Sequence, residues 1–219
     1  MNYELKAVLF DLDGVIVDTA KFHYLAWKKL ADQNGIYFDE DINERLKGVS
    51  RLASLNIILE KSDKEYTDFE KEQMAEIKNN WYLEMIEQLK ENDVLPGVID
   101  FLESLKNAGI KTSICSASKS AQFIIEKLNL LDYFDTIVGG GDVKNSKPDP
   151  EVFLIASERL AISPSCCLVF EDAYAGIEAG KAAGMKTLGI GDKNLLINAD
   201  VVYKDMTEVS LENIRESLY

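Results

Sequence analysis

At 219 residues the chain is long enough to bury a sizeable core, as one large domain or one domain carrying an insertion. A formal charge of −14 and a pI of about 4.6 repel nucleic acid and anionic membrane, and no apolar run approaches membrane-span length. Cys115, Cys166 and Cys167 sit in apolar, strand-like stretches without metal spacing, and the first residues carry no apolar signal region. The expectation is a cytoplasmic, monomeric protein with no nucleic-acid or membrane partner.

Ala7 to Phe10 form four consecutive apolar residues, the pattern of a short buried strand. Asp11 and Asp13 follow at i, i+2, and Gly14 lets the chain turn. Strand alternation predicts that both carboxylates point to the same side. Beyond the carboxyl end of a strand they would suit a small divalent cation, with one carboxylate left to attack or to move protons. Asp18 and Thr19 can cap a helix that runs to about Asn34 and stops at Gly35. Helical periodicity with dense charge then covers 39–47, 52–61 and 67–90, with no convincing strand before about Asn92.

After Leu95-Pro96-Gly97 the character changes. Helix-like 98–108, 119–129, 150–161 and 173–183 alternate with strand-like 111–115, 136–138, 166–170 and 186–190. A last run at 200–203 precedes a terminal helix from about Ser210. Such alternation predicts an α/β fold: a Rossmann-like, doubly wound parallel sheet with an inserted all-helical cap. The expected division is a core of residues 1–17 and 93–219 and a cap of residues 18–92, placed over the strand ends as a lid.

Each later strand is expected to deliver a polar group to the same edge. The second runs into Ser116-Ala117-Ser118-Lys119-Ser120, where a helix start suits phosphate. Lys147-Pro148 follows the glycine run 139–141, and the fourth strand leads into a second acidic pair, Glu171-Asp172. Four clustered carboxylates repel one another unless a divalent cation and Lys147 join them. In the helical segment, His23 and Trp27 share one helix face, and Leu46-Lys47-Gly48-Val49-Ser50-Arg51 is a glycine turn flanked by two cations.

Asp11-Leu-Asp13-Gly-Val15, Ser116, Lys147-Pro148 and Glu171-Asp172, in this order, resemble the four signature motifs of the haloacid dehalogenase-type (HAD) phosphotransferase superfamily. The Leu46 to Arg51 segment and Ser116 to Lys119 are most similar to its hexose-phosphate mutases. The resemblance implies Asp11 as the nucleophile, forming an aspartyl phosphate, and Asp13 as general acid/base. It implies Mg²⁺ held by Asp11, the Asp13 backbone carbonyl, Glu171 and Asp172, with Ser116 and Lys147 as electrostatic partners. His23 would couple cap closure to Asp13, and Thr19 and Lys47 would serve the hinge or the closed state. Substrate binding would fall to Trp27, Gly48, Val49, Arg51, Ser54, Lys78, Ser118, Lys119 and Ser120. Two positions depart from the pattern: Ser120 replaces a common asparagine, and Ala173 replaces a frequent serine. The implied activity moves a phosphoryl group between two positions of a small sugar phosphate. The alternative is a phosphatase acting on a sugar phosphate or a phosphoglycolate-like acid.

Overall fold

The computed structural model describes residues 4–46 and 49–218. Six parallel strands form one sheet: β1 (Ala7–Phe10), β2 (Lys111–Cys115), β3 (Thr136–Val138), β4 (Cys167–Glu171), β5 (Lys186–Ile190) and β6 (Val201–Tyr203). Their order is β3-β2-β1-β4-β5-β6, all neighbours parallel. The chain therefore reverses direction across the sheet on either side of β1, and a crevice opens at the strand ends there.

β1 is buried on both faces. Val8 and Phe10 belong to one hydrophobic cluster with Phe101, Leu102 and Phe170, while Ala7 and Leu9 belong to another with Phe153, Ala156 and Val169. Period-two alternation thus splits four apolar residues between two helical layers, which explains a continuous rather than alternating hydrophobic run. Phe10, Phe101 and Phe170 pack with ring centroids 4.9–6.2 Å apart. The flanking helices include α5 (Val98–Asn107), α6 (Ala121–Lys127), α7 (Glu151–Leu160), α8 (Tyr174–Ala182) and α9 (Leu211–Leu218).

Between β1 and β2 the named elements are helical: α1 (Ala20–Gln33), α2 (Glu40–Glu44), α3 (Arg51–Leu59) and α4 (Asp68–Ile86), with a short 3-10 turn at Glu91–Asp93. They close a third cluster of their own around Trp27, Leu30, Phe38, Leu55 and Ile58. The two chain crossings that connect these helices to the sheet are tied together, because Val17 bridges Val94 and the Leu95 N–H donates to the Ile16 carbonyl at 2.9 Å. The long α4 begins with a reciprocal capping box between Thr67 and Glu70.

Several element ends differ from the sequence expectation. α4 stops at Ile86 rather than continuing to 90. Glu171 is the last residue of β4, paired with Gly189, rather than a residue after the strand. Thr19 occupies the N-cap of α1 without a side-chain bond to the helix, and the Ala20 N–H turns to Asp18 instead. The Thr19 hydroxyl is used elsewhere, in the site described next.

Candidate active site

The floor of the crevice comes from β1, β4 and the β3–α7 loop. The Asp11 N–H donates to the Phe170 carbonyl at 2.9 Å, extending the β1–β4 pairing one residue past β1. Lys147 is almost fully buried and spends its three ammonium protons on three acceptors: Asp11 Oδ1 at 2.5 Å, Glu171 Oε1 at 2.5 Å and the Cys115 carbonyl at 2.9 Å. Burial alone would lower the Lys147 pKa, yet the Asp11 and Glu171 carboxylates outweigh it and the value is raised. Burial pushes Glu171 up to about 8, with Asp11 and Asp172 adding repulsion and Lys147 opposing them.

Asp11, Glu171 and Asp172 each offer a carboxylate oxygen, and these lie within 4.8 Å of one another. One buried ammonium against three carboxylates leaves this set negatively charged. Hard oxygen donors at that spacing with residual negative charge fit a divalent cation. Two glycines keep the walls close. Gly14 has φ +83°, and a Cβ there would lie 2.3 Å from Asp172 Oδ2; at Gly176 it would lie 1.8 Å from Glu171 Oε1.

Asp13 shares the cavity, but strand alternation does not bring it there, because β1 ends at Phe10 and Asp13 sits in the following turn. Its carboxylate lies outside the three-acid cluster and accepts a hydrogen bond from the Thr19 hydroxyl. Burial, then the Asp11 and Asp18 charges, raise its pKa to about 7, against the pull of Lys78 and Thr19. A carboxyl poised there can both give and take a proton near neutrality.

The roof comes from the helices. Ser50 caps α3, its Oγ accepting from the Ala53 N–H at 3.4 Å, and Arg51 is the first helical residue. Arg51 is half-buried, and no hydrogen bond or ion pair joins it to any described residue. Burial lowers its pKa, with Tyr82 and Glu76 opposing. Lys78 is almost fully buried; its ammonium donates to His23 Nδ1 at 2.7 Å and lies 4.6 Å from the Trp27 ring centre. Burial, then Arg51, bring Lys78 down to about 7. His23 is held well below its usual value by burial and by Lys78, so its ring is neutral and accepts from the lysine.

Asp11, Asp13, His23, Trp27, Val49, Arg51, Ser54, Lys78, Ser116, Ser118, Lys119, Glu171 and Asp172 all line one cavity of about 600 Å³. Lys147 lies beneath it, bonded to Asp11 and Glu171. Thr19 and Ser120 are buried behind the wall, Ser120 donating its N–H to Ser118 Oγ at 3.1 Å. Lys47 and Gly48 lie outside the described residues. Sequence reasoning missed Tyr82, which lines the cavity, and Glu72, Glu76 and Asn79 on the same helix. The signal was available, since Lys78 and Tyr82 repeat the i, i+4 spacing of His23 and Trp27. A long, highly charged helix hid it.

This fold and this constellation define a class. The chain belongs to the haloacid dehalogenase-like hydrolase family, which matches residues 5–184. It is 44% identical to a β-phosphoglucomutase of Bacillus subtilis over 97% of this chain and 95% of that one. It is 34% identical to a phosphorylated carbohydrates phosphatase of Thermotoga maritima, over 98% of this chain and all of that one. Among solved structures, a β-phosphoglucomutase from Clostridium difficile superposes with a TM-score of 0.94 at 43% identity, covering 97% of this chain and 96% of that one.

Proposed function

We propose that the chain is a β-phosphoglucomutase, interconverting β-D-glucose 1-phosphate and D-glucose 6-phosphate through an aspartyl phosphate and β-glucose 1,6-bisphosphate. The observation that carries this reading is the pairing of a complete phosphoryl-transfer floor with Arg51, a cation on the opposite wall that has no hydrogen-bond or ion-pair partner among the described residues. A phosphatase needs the floor; a mutase also needs a grip on the phosphate that is not reacting. The strong likeness to two β-phosphoglucomutases supports the same choice. A cavity of about 600 Å³ also falls in the range that encloses small ligands.

The phosphoryl group begins on Asp11. The sugar 6-hydroxyl attacks phosphorus, Asp13 takes the hydroxyl proton, and the bond from phosphorus to the Asp11 oxygen breaks to free the carboxylate. The bisphosphate then presents its other end. Asp11 attacks the 1-phosphate, the bond to the sugar oxygen breaks, and Asp13 returns the proton to that oxygen. Lys147 fixes Asp11 for in-line attack, and Ser116 with the neighbouring N–H groups steadies the transferring phosphate. Mg²⁺, the proposed ion for Asp11, Glu171, Asp172 and the Asp13 carbonyl, supplies further charge neutralisation when bound. Arg51, Ser118 and Lys119 hold the distal phosphate, and Lys78, His23 and Trp27 shape the sugar face. Residues 18–92 act as the cap that excludes water, moving about the paired crossings at Val17 and Val94, with Thr19 at the hinge and Lys47 supporting the closed state.

The reading extends to a monomer working in the cytoplasm, in keeping with three cysteines that form no disulfide, two of which, Cys115 and Cys167, burial pushes up to about 12. Among the described residues no helix is long and apolar enough to cross a membrane. A second reading, a sugar-phosphate phosphatase, draws on the likeness to the Thermotoga maritima protein. Phosphorus NMR of β-glucose 1-phosphate with magnesium and a trace of bisphosphate separates the two. Glucose 6-phosphate is expected, and release of inorganic phosphate as the main product would reverse the choice.

A further inference from the structure

The glycine run 139–141 opens the β3–α7 loop and lies against the β2–α6 loop, residues 116–120. A Cβ at Gly140 would sit 2.0 Å from the Ala117 carbonyl oxygen, and one at Gly139 would sit 3.1 Å from the Ser118 carbonyl oxygen. The two backbones touch, and a side chain at Gly140 would force them apart. The Gly140 N–H donates to the Ser118 carbonyl at 3.0 Å, whereas the start of α6 offers that carbonyl a longer bond, from the Ala121 N–H at 3.4 Å. Bonds from the Ser118 N–H to Ser116 Oγ and from the Ser120 N–H to Ser118 Oγ, each 3.1 Å, are local turns that shape the loop without anchoring it. Asp142 in turn fixes the glycine run. Its Oδ2 accepts from the Gly139 N–H at 2.8 Å, and its own N–H donates to the Gly139 carbonyl at 2.9 Å. Its Oδ1 accepts from Arg159 Nη2 at 2.5 Å, while Arg159 Nη1 donates to the Ile137 carbonyl at 2.8 Å.

We propose that Asp142, stapled by Arg159, is a positioning residue that sets where Ser118 and Lys119 meet the distal phosphate. The proposal rests on the phosphotransfer reading above, in which those two residues help Arg51 to hold the phosphate that is not reacting. Asp142 touches no reacting atom. It acts through the Gly139–Gly140 backbone on the Ser118 carbonyl, and the placement of the phosphate-binding groups follows from that carbonyl. The same loop carries Lys147 in its second half, under a separate clamp: Glu151 Oε2 accepts from the Lys144 N–H at 2.9 Å and the Asn145 N–H at 2.7 Å. Two carboxylates thus divide one loop. Asp142 steadies the half that supports the phosphate grip, and Glu151 steadies the half that delivers Lys147 to Asp11. The Arg159 and Asp142 side chains are 40% and 35% exposed, so their ion pair adds little to global stability and its removal leaves the chain folded.

The test is Asp142→Ala in the full chain with magnesium. Three quantities are measured: hydrogen exchange at the Gly140 amide, KM and kcat for β-glucose 1-phosphate, and the rate at which acetyl phosphate phosphorylates Asp11. Exchange at Gly140 should quicken about tenfold as the glycine run loosens. KM should rise about fivefold, the scale of one hydrogen bond, because binding is lost equally from ground and transition states. The kcat and the acetyl phosphate rate, which needs no distal phosphate, should stay within about twofold. Asp142→Asn, which keeps an oxygen for the Gly139 N–H, should recover part of the KM, and Arg159→Lys should lie closer to wild type than Arg159→Met. Glu151→Ala should show the reverse split, a KM within about twofold of wild type and an acetyl phosphate rate lowered about fivefold. An unchanged KM in Asp142→Ala, unchanged exchange at Gly140, or an equal KM rise in Glu151→Ala would overturn the proposal with the mechanism left standing. A wild type that forms no aspartyl phosphate would instead sink the phosphotransfer reading and this proposal with it.

Discussion

The floor and the roof of the cavity are built on opposite electrostatic plans. On the floor, Lys147 is saturated by Asp11, Glu171 and the Cys115 carbonyl, and every contact ties the β3–α7 loop to the carboxyl end of a strand of the central sheet. On the roof, Arg51 has no hydrogen-bond or ion-pair partner among the described residues, and the Lys78 ammonium is satisfied only by a neutral histidine and two aromatic faces. A saturated floor is organised before substrate arrives, which is what stabilising a transition state requires. An unsaturated roof gains its partners only when an anion enters. On the proposed function, the chemistry is prebuilt in the sheet and the selection of a doubly phosphorylated ligand falls to the helices.

The sharpest way to break this contrast is Asp11→Asn. It should lower turnover by about 10⁴-fold or more and leave no phosphoenzyme detectable with acetyl phosphate. Near-normal turnover would place the chemistry somewhere other than the floor. Lys147→Ala comes next, because it strands two buried carboxylates. A stability loss of about 3–5 kcal/mol is expected in urea unfolding; a change under 1 kcal/mol would mean that the ion set is not preassembled.

Arg51 tests the roof by itself. Arg51→Ala should cut isomerisation of β-glucose 1-phosphate by roughly 30- to 1,000-fold, and Arg51→Lys by less, since charge persists but the two-pronged grip is lost. Phosphorylation by acetyl phosphate, with no second phosphate to hold, should change little. A parallel drop in both rates would make Arg51 a support for the fold rather than a clamp.

A smaller effect should come from Gly176→Ala, whose new methyl group would collide with Glu171. Divalent-cation affinity measured by calorimetry should weaken by about 10- to 100-fold, as when support around a ligand is lost. Unchanged affinity would remove Glu171 from the ligand set. A pH-dependent test concerns the buried Lys78. Its folded pKa of about 7 lies below the unfolded value of 10.5, so between those values the unfolded chain binds more protons and stability rises with pH. Lys78→Met should be most stabilised relative to wild type at or below neutral pH, with the gap closing toward pH 10 in thermal melts. A gap independent of pH would mean that the lysine pays no burial cost.

The sheet side of this molecule was readable from the chain because its strands are short and apolar and three of them lead directly into polar groups. Asp11, Ser116 and Glu171-Asp172 could be placed from strand ends, whereas Lys147, nine residues past β3, stood out only through its place after the glycine run and the motif order. The helical side was not readable in the same way. Tyr82 sits in a 19-residue helix crowded with charge, where its i, i+4 spacing from Lys78 is one pair among many. Thr19 read as a helix cap, the usual task for threonine before a helix, whereas it serves Asp13.

By itself the sequence determined the parallel α/β architecture, the helical run between the first two strands and the acids at the strand ends, because these depend on local pattern and on the handedness of strand–helix–strand connections. Tertiary structure alone decided which groups share protons. Lys147 meets Asp11 across 136 residues, and Lys78 meets His23 across 55. Contacts of that range depend on how helices dock over the sheet. They set which carboxyl remains near a pKa of 7, which cation is saturated and which is left for substrate.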